Sequence, residues 1–151
     1  MAVQASREAV FDASPEAIME VLADVDALPT WSALHRRVKI IDRYPDGRPH
    51  HVKATMRLLG ITDKELLEFH WGDHWMVWDA EPNLQQRGQH IEYNLTPEVD
   101  RTRVRFDIIV DLAMPIPEFL INRGRTLVLD VAIERLRQRV MSNSRTVNRT
   151  E

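Results

Sequence analysis

The sequence predicts an α+β fold, a curved antiparallel sheet of about seven strands wrapped around one long C-terminal helix, with two short helices after the first strand. Three observations lead there. Between residues 36 and 111, apolar and polar side chains alternate with a period of two, interrupted by turn residues. Residues 14–31 carry a helix start and an apolar stripe. Residues 117–140 form one long, largely apolar run with no proline after Pro117.

Residues 3–12 read as the first strand, with Val10 and Phe11 near its end and no helical period. Ser14 is the expected N-cap of the next element and Pro15 its first helical residue. Ile18, Val21, Leu22 and Val25 share one helical face, and Leu28-Pro29-Thr30-Trp31 begins a second, shorter helix or turn. The period then changes. Val38 and Ile40 alternate with Lys39 and Ile41 up to Tyr44-Pro45-Asp46-Gly47, a strong hairpin turn. Val52, Ala54, Met56 and Leu58 line one face of the following strand, and Gly60 marks its turn. Leu67, Phe69 and Trp71 line the next, which Gly72-Asp73 ends, and residues 74–80 add a short strand with Met76 and Trp78 on one side. After the Glu81-Pro82-Asn83 loop, Ile91, Tyr93 and Leu95 alternate with His90, Glu92 and Asn94. The clearest strand sets Val104, Phe106, Ile108 and Val110 against Arg103, Arg105, Asp107 and Asp111, the pattern of a sheet with one face in water.

The last element begins after Pro115 and Pro117, with Glu118 in its first turn, a favourable helix start. As a helix, residues 117–140 would extend roughly 36 Å. On a wheel of roughly 100° per residue, Leu120, Ile121, Gly124, Leu127, Val128, Val131, Ala132, Leu136 and Val140 fill more than half the circumference. A surface helix needs a narrower stripe, so this one is expected to be covered on more than one side, inside the curve of the sheet. Residues 142–151 are polar and read as a frayed tail. The chain is therefore expected to be one domain over 1–141 followed by a tail at 142–151.

A chain of 151 residues suits a single domain that buries a sizeable core. The net charge of -3 argues against a general nucleic-acid surface. With no cysteine, disulfide and thiolate chemistry are excluded. Neither a signal peptide nor a membrane span is legible, which makes the cytoplasm the expected compartment.

The wording of several segments resembles a known superfamily. SPEAIMEVLADVDALPTW (14–31), FHW (69–71), EYNLTP (92–97) and TRVRFDIIVDLAMPIPEFLINR (102–123) are similar to the START-like, Bet v 1-like helix-grip proteins, in particular the bacterial polyketide cyclase/dehydrase branch of the SRPBCC superfamily. The resemblance covers nearly the whole chain and implies a cavity between sheet and helix that holds a hydrophobic ligand. These are scaffold motifs. They identify fold and branch, while function must come from the site.

The expected ligand-binding residues are Met56, Leu58, Phe69, Trp71, Trp78, Tyr93, Leu95 and Phe106 from strands, with Leu120, Leu127 and Val128 from the helix. Tyr93 is the leading candidate for a polar or catalytic contact, through a hydroxyl that donates to a ligand carbonyl. The competing reading gives that hydroxyl to a backbone group. Asp63 and Glu65 share parity with Phe69 and Trp71 and would point inward near a strand end. Asn122 and Arg123 are either at a pocket mouth or on a solvated strip. Entry is expected to be gated near 28–34 and at the Gly60 and Gly72 turns.

His70, Asp73 and His74 suggest a metal, but His70 should face outward, Gly72-Asp73 is a turn, and no HExxH-type spacing exists. His50-His51 is read the same way, so no metal or cofactor is expected. Ser32 and His35 lie three apart without an identifiable acid or oxyanion hole, which argues against nucleophilic hydrolysis. The expected function is binding, and carriage, of a small hydrophobic molecule such as a lipid, quinone or polyketide-like compound. A polyketide cyclase or aromatase is the first alternative, and a ribosome- or protein-interaction module the second. The strand at 3–12 could pair with its copy in a homodimer.

Overall fold

The computed structural model describes the backbone of residues 1–150 and side chains through Ser144. One seven-stranded antiparallel sheet runs in the order β1-β7-β6-β5-β4-β3-β2. Its strands are β1 (Ala2–Phe11), β2 (His35–Arg43), β3 (Pro49–Leu58), β4 (Ile61–Trp71), β5 (Trp75–Ala80), β6 (Gln86–Glu98) and β7 (Arg101–Leu112). Strands β2 to β7 follow one another as a meander, and only β1 pairs far along the chain, against β7. The turns are where the residues demand them. Gly47 and Gly60 have φ of +92° and +80°, conformations that cost glycine little.

Between β1 and β2 lie α1 (Pro15–Ala23), a single 3-10 turn (Val25–Ala27) and α2 (Leu28–Trp31). The Ser14 hydroxyl accepts from the Ala17 N–H at 3.1 Å, and Pro15 opens the helix as expected. Ile18, Val21 and Leu22 seat α1 on the core with Phe11, Phe106 and Val104.

The C-terminal helix departs from expectation in two ways. It is α-helical as α3 (Glu118–Leu129), π-helical over Asp130–Arg135, and α-helical again as α4 (Leu136–Thr150). The segment from Ser142, expected to fray, continues the helix to Thr150. Nor is the helix covered on several sides throughout. Ile133, Leu136 and Val140 are buried in the core, whereas the only buried residue of α3 is Gly124. The first half of the helix roofs a space; the second half closes the core.

Several strands carry an inserted residue. In β2 and β3 the register runs Ile40↔Val52, Asp42↔His51 and Arg43↔Pro49, leaving Ile41 and His50 as extra residues. In β6 the pairs Gln86↔Leu112 and Gly88↔Asp111 leave Arg87 extra. Such bulges reset which face the next side chains occupy. Among the described residues, no helix is long and apolar enough to cross a membrane.

Candidate functional site

Beneath α3 the sheet leaves a cavity of about 440 Å³. Val3 and Ala5 of β1, Ile108 and Val110 of β7, and Met56 and Leu58 of β3 form its walls, with Leu120, Ile121, Gly124 and Val128 of α3 above. These positions follow from alternation, because every second residue of β1, β3 and β7 faces the concave side. Three connections form the rim: the Leu59–Ile61 hairpin, the Leu84–Gln86 loop and the Met114–Ile116 segment before α3. The rim is apolar yet open to solvent, with Leu84 92%, Met114 71% and Ile61 53% exposed. A groove of about 520 Å³ along the β2 edge, from Asp26 to Arg43, is open and polar and does not enclose a ligand.

One end of the cavity is polar. Asp63, Gln86 and Gln89 line it, and Gln86 and Gln89 are buried. The Gln86 amide donates to Asp63 Oδ2 at 2.8 Å and to Glu65 Oε2 at 2.9 Å. Asn83 donates to the second Asp63 oxygen at 2.7 Å. Glu65 is only 4% exposed, and its Oε1 and the Oε1 of Gln86 have no hydrogen-bond partner. Burial pushes the Glu65 carboxyl up to about 7; the Gln86 hydrogen bond opposes this and the Asp63 charge reinforces it.

The expected lining residues divide into four groups. Met56, Leu58, Leu120 and Val128 line the cavity together. Phe69, Trp78, Tyr93, Leu95 and Phe106 are instead packed in the core, where Phe69 lies tilted 5.1 Å from Trp78 and Tyr93 lies 5.0 Å from Phe106. Trp71 is half-buried, with its indole N–H bonded to the Pro49 carbonyl at 2.7 Å. Leu127 is 40% exposed and turned away from the cavity lining.

Tyr93 has its alternatives resolved by one contact. Its hydroxyl donates to the Ala132 carbonyl at 2.8 Å, inside the π-helical segment, and burial pushes the phenol up. The bond ties sheet to helix. Arg125 lines the cavity where Arg123 was considered, held by Asn122 Oδ1 at 3.0 Å and the Gln4 carbonyl at 3.1 Å. Of the expected gates, only the Gly60 hairpin borders the cavity; neither residues 28–34 nor the Gly72 turn contribute to its lining.

Ser32 and His35 do meet, with Oγ 2.7 Å from Nδ1, but in the interior beside Trp78. Burial lowers His35 to about 4, so it is neutral near pH 7, and no carboxylate bonds to it among the described residues. The pair has no base-orienting acid. The His50-His51 pair, expected to be solvated, is gathered with Asp42 on the sheet's outer side. Gln86 escaped sequence reasoning because a bulge at the start of β6 shifts its parity, whereas Gln89 shares the parity of Ile91 and Tyr93 and could have been read as inward.

Comparison with known proteins agrees with this architecture. A START superfamily protein from Mycobacterium smegmatis superposes with a TM-score of 0.81 at 20% identity, covering 92% of this chain and 97% of that one. A protein from Thermus thermophilus gives 0.78 at 18% identity, covering 94% and 99%. An aromatase/cyclase from Streptomyces sp. R1128 gives 0.73 at 12% identity, covering 93% and 96%. At these identities the likeness shows the fold, a START/Bet v 1-like helix grip. No curated protein sequence matches the chain. The sequence profile described as polyketide cyclase/dehydrase and lipid transport matches residues 11–137, most of the chain, and this chain belongs to that family.

Proposed function

We propose that this chain binds and carries one small, mostly apolar molecule between the sheet and α3. The observation that supports this best is the cavity of about 440 Å³, apolar on its walls and polar at one end. Ligand pockets of roughly 300–1,000 Å³ share that division. Burial of apolar surface supplies the driving force, roughly 25 cal/mol per Å² before ordering costs. Orientation comes from the polar end. Gln86 and Gln89 line that end, and side-chain amides can both donate to and accept from a ligand's polar group. The lipid-transport part of the family description supports carriage. The exposed apolar rim suits transfer to and from other apolar surroundings.

A cyclase role is the second reading. It is favoured by Glu65, a buried acid with its pKa pushed to about 7 and coupled through Gln86 to the cavity. A carboxyl titrating near neutrality suits general acid or base work. The aromatase/cyclase from Streptomyces sp. R1128 shares the fold.

Native mass spectrometry of gently purified protein, followed by titration with anilinonaphthalene sulfonate, tests the binding reading. The expected result is an extractable adduct, or one dye per chain that apolar ligands displace. Gly124→Phe, which fills the roof, should abolish binding while circular dichroism stays native. A protein with no adduct, whose dye uptake ignores Gly124→Phe and the independent Leu58→Trp, would overturn it. Glu65→Gln separates carrier from cyclase: a carrier retains affinity, whereas a cyclase loses turnover of a polyketide-like substrate.

A further inference from the structure

The geometry points to a second site that the family resemblance does not supply: Asp42, His50 and His51 form a three-ligand seat for a borderline divalent metal ion, zinc or nickel, on the outer face of the sheet. Bulges build it. Strict alternation would send His50 and His51 to opposite faces. Because His50 is extra on β3 and Ile41 is extra on β2, the chain instead brings both imidazoles beside Asp42, with ring centroids 3.9 Å apart.

Both Nδ1 edges face the same carboxylate. His51 Nδ1 lies 2.9 and 3.0 Å from the two Asp42 oxygens, and His50 Nδ1 lies 3.7 Å from Oδ1. One ligand atom from each residue falls within 4.8 Å of the others. In a tetrahedral shell with bonds of about 2.0–2.2 Å, neighbouring ligand atoms stand about 3.3–3.6 Å apart. The two His–Asp42 distances, 2.9 and 3.7 Å, lie within a few tenths of an ångström of that spacing. The fourth position opens to water.

The opposite ring edges approach a second carboxylate, just beyond hydrogen-bond distance. His50 Nε2 and His51 Nε2 lie 3.6 and 3.8 Å from the two oxygens of Glu68. Metal-bound histidines usually give their second N–H to a carboxylate, which fixes the tautomer and strengthens the ligand. Glu68 is itself held by His70 Nε2 at 3.2 Å, and the Tyr44 hydroxyl stands 3.2 Å from His70 Nδ1. Among the described residues, the ion-pair partners of Asp42 and Glu68 are histidines, with no lysine or arginine. The two carboxylates thus have imidazole rings as their ion-pair partners, the neighbours a borderline metal ion shares. Ligands of imidazole and carboxylate type suit zinc and nickel better than magnesium.

Another histidine shows what convergence requires. His90 lies 2.6 Å from Asp79 and 3.0 Å from Glu92, but on opposite edges of a single ring, so those carboxylates share no centre.

The test is calorimetric titration of the full chain, without a polyhistidine tag, with Zn²⁺ and separately with Ni²⁺ at pH 7.5. One ion per chain is expected, released again by a chelator. Asp42→Asn and His51→Ala should each weaken binding at least tenfold, and Glu68→Gln about tenfold through the ring tautomers. His90→Ala should change nothing. Absence of saturable uptake, uptake unchanged in the His50→Ala/His51→Ala double variant, or uptake removed by His90→Ala would each overturn the assignment. Circular dichroism of every variant secures the fold.

Discussion

Replacing Glu65 with glutamine probes the polar end of the cavity through stability. Folding moves this carboxyl from 4.5 to about 7, chiefly by burial. The native state therefore holds the proton more tightly than the unfolded chain does. Below pH 4.5 the group is protonated in both states and costs nothing. As pH rises from 4.5 to 7 the unfolded chain ionises first, and stability falls until the native carboxyl ionises too. The full effect corresponds to roughly 3 kcal/mol at about 1.4 kcal/mol per pKa unit. About 2.5 kcal/mol of it falls between pH 5 and pH 8. Urea denaturation of both proteins at those two pH values gives a double difference, in which His35 cancels because both carry it. Wild type should lose about 2.5 kcal/mol more than Glu65→Gln on going to pH 8. Equal losses in the two proteins, with equal denaturant slopes, would refute the reasoning and mean that Glu65 ionises freely in the fold.

Three further outcomes rest on single contacts. Tyr93→Phe should cost about 1–2 kcal/mol in urea unfolding, because the Ala132 carbonyl loses its partner, while dye affinity stays within about twofold. Gly124→Ala should raise stability by about 0.5–1 kcal/mol. A methyl there stands 3.7 and 3.8 Å from Leu58 and Leu59, ordinary contact, and a thermal melt reads the gain. His35 works in the opposite pH direction from Glu65. Its native value of about 4 against 6.5 means that stability is intact above pH 6.5 and falls towards pH 4 by up to roughly 3 kcal/mol. His35→Gln should lack that acid limb in denaturation between pH 7 and pH 4.

Alternation read the regular strands well. Val52 and Ala54, Leu67 and Phe69, Ile91 and Tyr93, and Val104 and Phe106 all face the core as their parity demands. Even Glu65, unusual for an acid, obeyed it. Legibility failed where the chain inserts a residue. Ile41, His50 and Arg87 are extra in their pairings, and a sequence without partner strands cannot reveal that. Leu127 was misplaced for a different reason, since α3 is regular there. A wheel of constant pitch places it with the cavity residues, whereas the face in use steps Gly124, Val128, Ala132, Leu136, Val140 in fours. The π-helical segment absorbs the drift, and Ile133, buried completely, falls on the inner side with them. The aromatic residues were placed inside correctly but in the wrong compartment. Hydrophobicity shows that a side chain is buried, and only the curvature of the sheet decides whether it meets a neighbour or a void.

The π-helical turn also divides the helix mechanically. Beyond it, Leu136 and Val140 are clamped in the core, and within it Ile133 is buried and Tyr93 bonds to the Ala132 carbonyl. Before it, α3 anchors itself with a single buried residue, Gly124. A beam fixed at one end and lightly held at the other bends near the clamp. Under the proposed carrier role, entry of a ligand would need only a local swing of α3 that breaks the Arg125–Gln4 bond, with the buried half holding the sheet in register.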